Sequence, residues 1–182
     1  MKTILILNGH DRYERAQGHL NEALLRETQT MLKGSYQTIQ TNIVEGYSVE
    51  EEIEKCKAAD VMVVQAPVYW FSVPGIVKKY MDDVFVPGIF FTKSSKFGRG
   101  GLMTDKNYML SLTWGAREAE FNATSGDFLE GLSEDQVLFS VHKTFAYCGM
   151  TALPTFSVYG AMKLDSFDRP IKALQEHIRK FF

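Results

Sequence analysis

Residues 58–85, AADVMVVQAPVYWFSVPGIVKKYMDDVF, constrain the fold of this chain more than any other stretch. Val61, Met62, Val63 and Val64 form an unbroken apolar run, the pattern of a strand covered on both faces. The run stops at Gln65-Ala66-Pro67, and an aromatic cluster follows at Tyr69, Trp70 and Phe71. Ser72-Val73-Pro74 then opens a helix, with Pro74 at or near the first turn, where its missing N–H leaves nothing unpaired. Ile76, Val77, Tyr80, Met81, Val84 and Phe85 recur at helical spacing as one apolar stripe. A buried strand therefore ends in an aromatic loop from which a helix returns. In open α/β sheets, ligands bind at that end of the strands. Two readings of the aromatics stay open: they cover something flat, or they pack beneath a neighbouring loop or a partner subunit.

The same alternation runs through the chain. Thr3–Leu7 reads as a first buried strand, and Asn8-Gly9-His10 begins a polar loop that ends at Gly18. The helix after it carries Leu20, Ala23, Leu24, Met31 and Leu32 on one face and is closed by Gly34. Its amino terminus suits an anion: Gln17, Gly18, His19, Leu20 and Asn21 offer N–H groups, and Arg12 and Arg15 offer charge. Neither a GxGxxG nor a Walker lysine motif is present, and an ordinary capping loop accounts for the segment equally well. Tyr36–Val44 reads as a second strand near an edge. A short helix marked by Val49, Ile53 and Cys56 follows, its outer face acidic at Glu50, Glu51, Glu52 and Glu54 and expected to be solvated.

Residues 86–106 are irregular, and Phe97-Gly98-Arg99-Gly100-Gly101 suggests a mobile loop. Tyr108–Thr113 is a fourth strand, ending in Trp114-Gly115-Ala116. Ser133-Glu134-Asp135-Gln136 has the form of a capping box, opening a helix with Val137, Leu138, Val141, Phe145 and Cys148 inward and Gly149 as its stop. Leu153–Tyr159 is a fifth strand, and Asp165–Pro170 leads into a last helix. The pattern implies one α/β domain spanning 1–182, a five-stranded parallel sheet of order 2-1-3-4-5 between two helical layers. The loops at Asn8–Gly18, Pro67–Phe71 and Thr113–Ala116 are then expected to converge on one rim.

A net charge of −2 with no basic block argues against a nucleic-acid partner. No segment is long and apolar enough to insert in a membrane, and Ile4–Leu7 is too short for a signal peptide. Cys56 and Cys148 have no metal or redox spacing, which fits two buried thiols and a cytoplasmic location. His10, His19, His142 and His177 are scattered, so no metal is expected, and His142 reads as structural. No nucleophile elbow is present. A site that holds a cofactor which itself does the chemistry remains.

With these loops in view, the chain resembles the flavodoxin-like NAD(P)H:quinone oxidoreductases, most of all the bacterial branch called modulator of drug activity B. ILILNGH with GHLNEAL, residues 59–85, KFGRGGLM, YMLSLTWGA and HKTFAYCGMTALPTF carry the resemblance over nearly the whole chain. It implies bound FAD rather than FMN, NAD(P)H as co-substrate, a homodimer, and ping-pong two-electron reduction of a quinone. Ala16, Gln17, Gly18, His19, Leu20, Asn21, Glu22 and Ala23 match the segment that holds the FAD phosphates and ribose. Pro67, Val68, Tyr69 and Trp70 match the loop along the isoalloxazine, and Thr113, Trp114, Gly115 and Ala116 the second flavin loop. Phe97 stands where the family has a flavin-contacting tyrosine. Tyr69 and Val68 replace the tryptophan and glycine of the bacterial branch, and the loop between Phe85 and Gly98 is shorter. Tyr69 and Phe71 would face the substrate. Backbone N–H groups of 67–71 and 113–116 would stabilise negative charge on the reduced ring. Tyr69 and His10 are the candidates for a proton donor. A homodimer would also cover the three loop aromatics and the Phe90-Phe91 pair. A flavodoxin-type electron carrier and a regulatory subunit of a potassium efflux system are the alternatives.

Overall fold

The computed structural model describes residues 1–14, 16–123 and 127–182. Among these, six strands alternate with helices: β1 (Thr3–Asn8), α1 (His19–Leu32), β2 (Gln37–Asn42), α2 (Val49–Ala58), β3 (Val61–Pro67), α3 (Gly75–Val84), β4 (Asn107–Thr113), α4 (Glu134–Val137), α5 (Phe139–Tyr147), β5 (Thr151–Ala152), β6 (Phe156–Val158) and α6 (Asp168–Phe181). All pairings are parallel, in the order β2-β1-β3-β4-β5, with β6 also on β4. Crossovers through helices produce this parallel sheet and leave helices on both faces. Leu20, Leu24, Leu174 and Ile178 of α1 and α6 pack on Ile4, Ile6, Val61, Val63 and Met109. Cys56, Val77, Tyr80, Val141 and Phe145 cover the opposite face on Leu5, Leu7, Met62, Val64 and Leu110. Every residue of β3 is buried, as its apolar run requires.

Four expectations are corrected. The fifth strand is broken: β5 pairs with Asn107-Tyr108 and β6 with Ser111–Thr113. Pro154 between them has no N–H to give the ladder, while the Leu153 N–H still reaches the Tyr108 carbonyl at 2.7 Å. The helix from Glu134 is also two pieces, parted at Leu138 (φ −90°, ψ 22°). Its capping box is present in both halves, and Leu138, Val141, Phe145 and Cys148 are buried. β2 ends at Asn42, and a 3-10 turn over Ile43–Glu45 replaces the expected end of that strand. Finally, the Gly100-Gly101 end of 97–101 is anchored. The Thr92 N–H donates to the Gly100 carbonyl at 2.7 Å, and a Cβ on Gly101 would stand 2.3 Å from the Gly149 nitrogen.

Glu52 also departs from expectation. It is 1% exposed, not part of a solvated face. Thr41 Oγ1 and Tyr80 O–H donate to its carboxylate at 2.9 and 2.8 Å, and Lys55 Nζ lies 2.5 Å away. A buried carboxylate is tolerable only when its lone pairs are satisfied in this way. Phe90 needs no partner chain either: it is 1% exposed and stacks on Phe85 at 4.7 Å.

Candidate functional site

The sheet register sets the carboxyl ends of the strands side by side, pairing Asn8 with Gln65 and Gln65 with Ser111. The loops that leave them are joined by hydrogen bonds. Gly9 N–H donates to the Gln65 carbonyl and Val68 N–H to the Thr113 carbonyl, each at 2.9 Å. Tyr69 O–H donates to the Asp11 carbonyl at 3.3 Å. The three segments expected to converge therefore meet at one rim.

Helix α1 begins there without a side-chain cap. Its first internal bond is Glu22 N–H to the Gly18 carbonyl at 2.9 Å, so the N–H groups of His19, Leu20 and Asn21 precede the ladder. Gly18 is required on two grounds. Its φ of +82° is left-handed, and a Cβ would lie 2.5 Å from His10 Cε1. The His10 Nε2–H donates to the Ala16 carbonyl at 3.0 Å. Burial holds the His10 pKa below the ordinary imidazole value, and Arg12 adds to the effect. His10 is thus a neutral strut that closes the loop. Arg12 lines a cavity between α1 and the end of β2, while Arg15 lies outside the described residues.

The aromatic loop is a two-residue reversal. Tyr69 and Ser72 exchange backbone hydrogen bonds at 2.9 and 3.1 Å, with Trp70 (φ 50°) and Phe71 (φ 62°) between them. Consecutive left-handed residues with side chains cost roughly 1–2 kcal/mol each. The turn leaves Trp70 94% and Phe71 47% exposed, with Phe71 tilted against Phe128 at 5.5 Å. Strain of this kind clusters at ligand sites, which makes the turn a candidate binding element. Tyr69 is half-buried, edge-on to Tyr13 at 5.3 Å, and burial raises its pKa. Trp114 turns the other way. Its indole is 3% exposed, packs on Phe121 and donates to Ser157 Oγ at 3.2 Å, so at the rim this residue offers backbone alone. The backbone donors narrow further. Val68, Tyr69 and Trp114 N–H groups are engaged, and Pro67 has none. Among the described residues Trp70, Phe71, Gly115 and Ala116 keep theirs.

Beneath the rim lies a row of polar side chains that sequence reasoning missed. Ser111 Oγ donates to Gln65 Oε1 (2.7 Å), Gln65 Nε2 to Asn21 Oδ1 (3.1 Å), and Asn21 Nδ2 to Asn8 Oδ1 (2.9 Å). Asn8 Nδ2 then donates to Asn42 Oδ1 at 3.3 Å. The signal was available, since a polar residue closes each of the first four strand segments near its carboxyl end. The parallel register turns those four into one transverse line.

Between α1 and the end of β2 opens a cavity of about 560 Å³, lined among others by His10, Gly18, Asn21, Asn42, Val44 and Glu45. Phe97 is not part of it. That ring, 92% exposed, lines a groove of about 920 Å³ between α3 and α5 with Phe91, Phe139 and Tyr147. Among the described residues no three His, Cys, Asp or Glu side chains stand together as a metal site, and no helix is long and apolar enough to cross a membrane. Both cysteines are buried and free, and burial pushes each thiol up to about 12. His142 is tied between Tyr108 O–H (2.7 Å) and Asp135 Oδ1 (3.1 Å).

A five-position parallel sheet of order 2-1-3-4-5, with an uncapped helix start and a flat apolar loop at its switch point, defines the flavodoxin-like class of α/β nucleotide-binding folds. Comparison with known proteins gives the family. The family model described as "Flavodoxin-like fold" matches residues 2–182. NADPH:quinone oxidoreductase MdaB of Haemophilus influenzae is 32% identical over 190 residues, covering 98% of each chain. The chain belongs to this flavodoxin-like family, in the group that MdaB typifies. A Klebsiella pneumoniae structure named as a quinone reductase superposes with a TM-score of 0.83 at 20% identity, covering 99% of this chain and 85% of that one. General stress protein 14 of Treponema denticola, solved with FMN, superposes at 0.69 with 20% identity over 99% and 95% of the two chains.

Proposed function

We propose that this chain is a flavin-dependent NAD(P)H:quinone oxidoreductase with FAD as its cofactor. The observation that carries the proposal is the single rim where an uncapped helix start, a strained aromatic turn and a small-residue loop are bonded together. The residues fit the group. The N–H groups of His19, Leu20 and Asn21 suit a pyrophosphate, and Gly18 leaves room that a Cβ would fill. The cavity continues past the helix start to Asn42, Val44 and Glu45, a length that suits a dinucleotide better than a mononucleotide.

Flavin held by these residues would supply hydride and two-electron transfer between NAD(P)H and a quinone. The chain's own part is binding, orientation and electrostatics. Trp70 and Phe71 make a flat apolar wall that displaces water and aligns a planar substrate. The free N–H groups at Trp70, Phe71, Gly115 and Ala116 are the donors available to developing negative charge. Tyr69 keeps its phenolic proton at neutral pH and stands at the rim. His10 has its Nε2–H committed to Ala16. The Tyr69 O–H is held more loosely, by the Asp11 carbonyl at 3.3 Å, and Tyr69 is less buried than His10, so of the two it is the better placed proton source. A second copy of the chain would cover the groove around Phe97, Phe139 and Tyr147, giving a cytoplasmic homodimer.

The test is direct. The purified chain is offered FAD and FMN, and the retained flavin is released and identified. Menadione reduction is then followed with NADH and with NADPH. Parallel double-reciprocal lines are expected for ping-pong turnover. A chain that retains no flavin, or one that retains it and turns over no quinone, refutes the proposal. A semiquinone stable during dithionite titration would favour the electron carrier instead. Light scattering reads the dimer separately.

A further inference from the structure

Asn42 closes β2 and ends the transverse row of amides. Its Oδ1 accepts two donors, Asn8 Nδ2 at 3.3 Å and Gln40 Nε2 at 2.6 Å. This orientation is fixed from the backbone outward. The His10 backbone N–H, which can only donate, points at Asn8 Oδ1 at 3.2 Å, as does Asn21 Nδ2 at 2.9 Å. The Asn8 amide must therefore turn its Nδ2 toward Asn42. Rotating the Asn42 amide would set its NH₂ against two other NH₂ groups. Its own Nδ2 donates to no acceptor among the described residues and, not being sealed from solvent, is open at a position that lines the 560 Å³ cavity. Val44, 43% exposed, and the carboxylate of Glu45 line the same end.

We infer that Asn42 is a specificity-determining residue that selects a flavin dinucleotide over a mononucleotide. It offers its Nδ2–H donors to an acceptor on the adenosine half, and this rests on the flavin reading above. An adenine ring carries bare nitrogen acceptors and a ribose carries hydroxyl oxygens. Val44 presents an apolar edge to the ring, and Glu45 accepts from an exocyclic amine or a ribose hydroxyl. A mononucleotide ends at its phosphate, beside the α1 terminus, and has nothing to place at β2. The amide row thereby does two things at once. It braces the rim, and it sets one hydrogen-bond polarity at the far end of the cavity.

The experiment is flavin binding to Asn42→Asp in the full chain freed of flavin, by fluorescence quenching and calorimetry with FAD and FMN. Aspartate keeps both accepted hydrogen bonds, from Asn8 and Gln40, and reverses only the end that faces the cavity. FAD affinity is expected to fall about ten- to a hundredfold, the scale of one reversed hydrogen bond in a site built for it. FMN affinity is expected to stay within about twofold, because the FMN phosphate lies at α1. Equal losses for both flavins would mean a general charge effect and overturn the inference, as would no loss for either. A wild-type chain that binds neither flavin would overturn the flavin reading itself, a different result. Asn42→Ala, which withdraws the Nδ2–H donors without adding charge, is expected to give the same ordering, with FAD affinity falling more than FMN affinity. It decides the matter if the aspartate variant folds poorly, as read by thermal melting without flavin.

Discussion

Replacing Asn21 by alanine should show how much the transverse row holds. Asn21 is 3% exposed, accepts from Gln65 Nε2 at 3.1 Å and donates to Asn8 Oδ1 at 2.9 Å. Alanine removes both bonds and leaves the Gln65 amide, 1% exposed, with an unpaired N–H. Each lost hydrogen bond costs about 1 kcal/mol net, and an unsatisfied buried donor costs about 1–3 kcal/mol. Together these give roughly 3–5 kcal/mol. For a chain of this length that is a fall in melting temperature of roughly 6–20 °C. Urea unfolding should show a lower midpoint with an unchanged slope. Asn21→Asp should be at least as damaging, because a carboxylate oxygen then faces Asn8 Oδ1. Gln65→Met removes the partner with little change of volume. A cycle combining it with Asn21→Ala should show a coupling of about 1 kcal/mol or more. If Asn21→Ala lies within about 0.5 kcal/mol of wild type, or the two changes simply add, the row is decoration and the argument fails.

Three further outcomes are expected. Gly18→Ala sets a Cβ 2.5 Å from the His10 ring at a φ of +82°. It should cost about 1–2 kcal/mol in urea unfolding and weaken flavin binding, and unchanged values of both would contradict the site. Replacing Trp70-Phe71 by Asn-Gly relieves two left-handed side-chain residues. It should raise stability by about 1–2 kcal/mol while quinone turnover falls, whereas retained turnover would remove the aromatic wall from the proposal. Glu134 has its carboxyl held above the usual range by burial, with Asp135 and Glu118 adding to it and the Ser157 hydroxyl opposing. Its stabilising effect is present below its unfolded pKa of about 4.3 and is lost as pH rises through the higher folded value. Measured against Glu134→Gln, wild-type stability should therefore decline across that window, and a difference that is flat or grows with pH would reverse the sign argument.

The strand order and the meeting of the three loops were legible because β1 and β3 carry unbroken apolar runs, Ile4–Leu7 and Val61–Val64, and β4 is apolar through its middle but for Ser111. Such runs can be buried only in the middle of a doubly covered sheet. What escaped was set by tertiary contact. Glu52 sits in a row of acids that looks solvated, and its partners Thr41 and Tyr80 come from other elements. The break at Leu153-Pro154 falls inside a run that reads as one strand, because β4 accepts both halves on the same edge. Trp114 reads as a rim aromatic, yet Phe121 and Ser157 draw its indole inward. Asn8, Gln65 and Ser111 each look like a strand ending, and only the register reveals them as neighbours.

The outermost strand, β2, has a further consequence. QTIQTN buries Thr41 alone and offers little grease to hold it in place. Its alignment with β1 rests on Thr41 reaching Glu52, Asn42 reaching Asn8, and Gln40 reaching Gln29. Sliding by a single position would break all three together, since alternate residues point to opposite sides. A polar border of this kind is a poor template for a stray strand from another molecule. The side chains that keep the border from misaligning or recruiting neighbours thus include the one that faces the far end of the cavity.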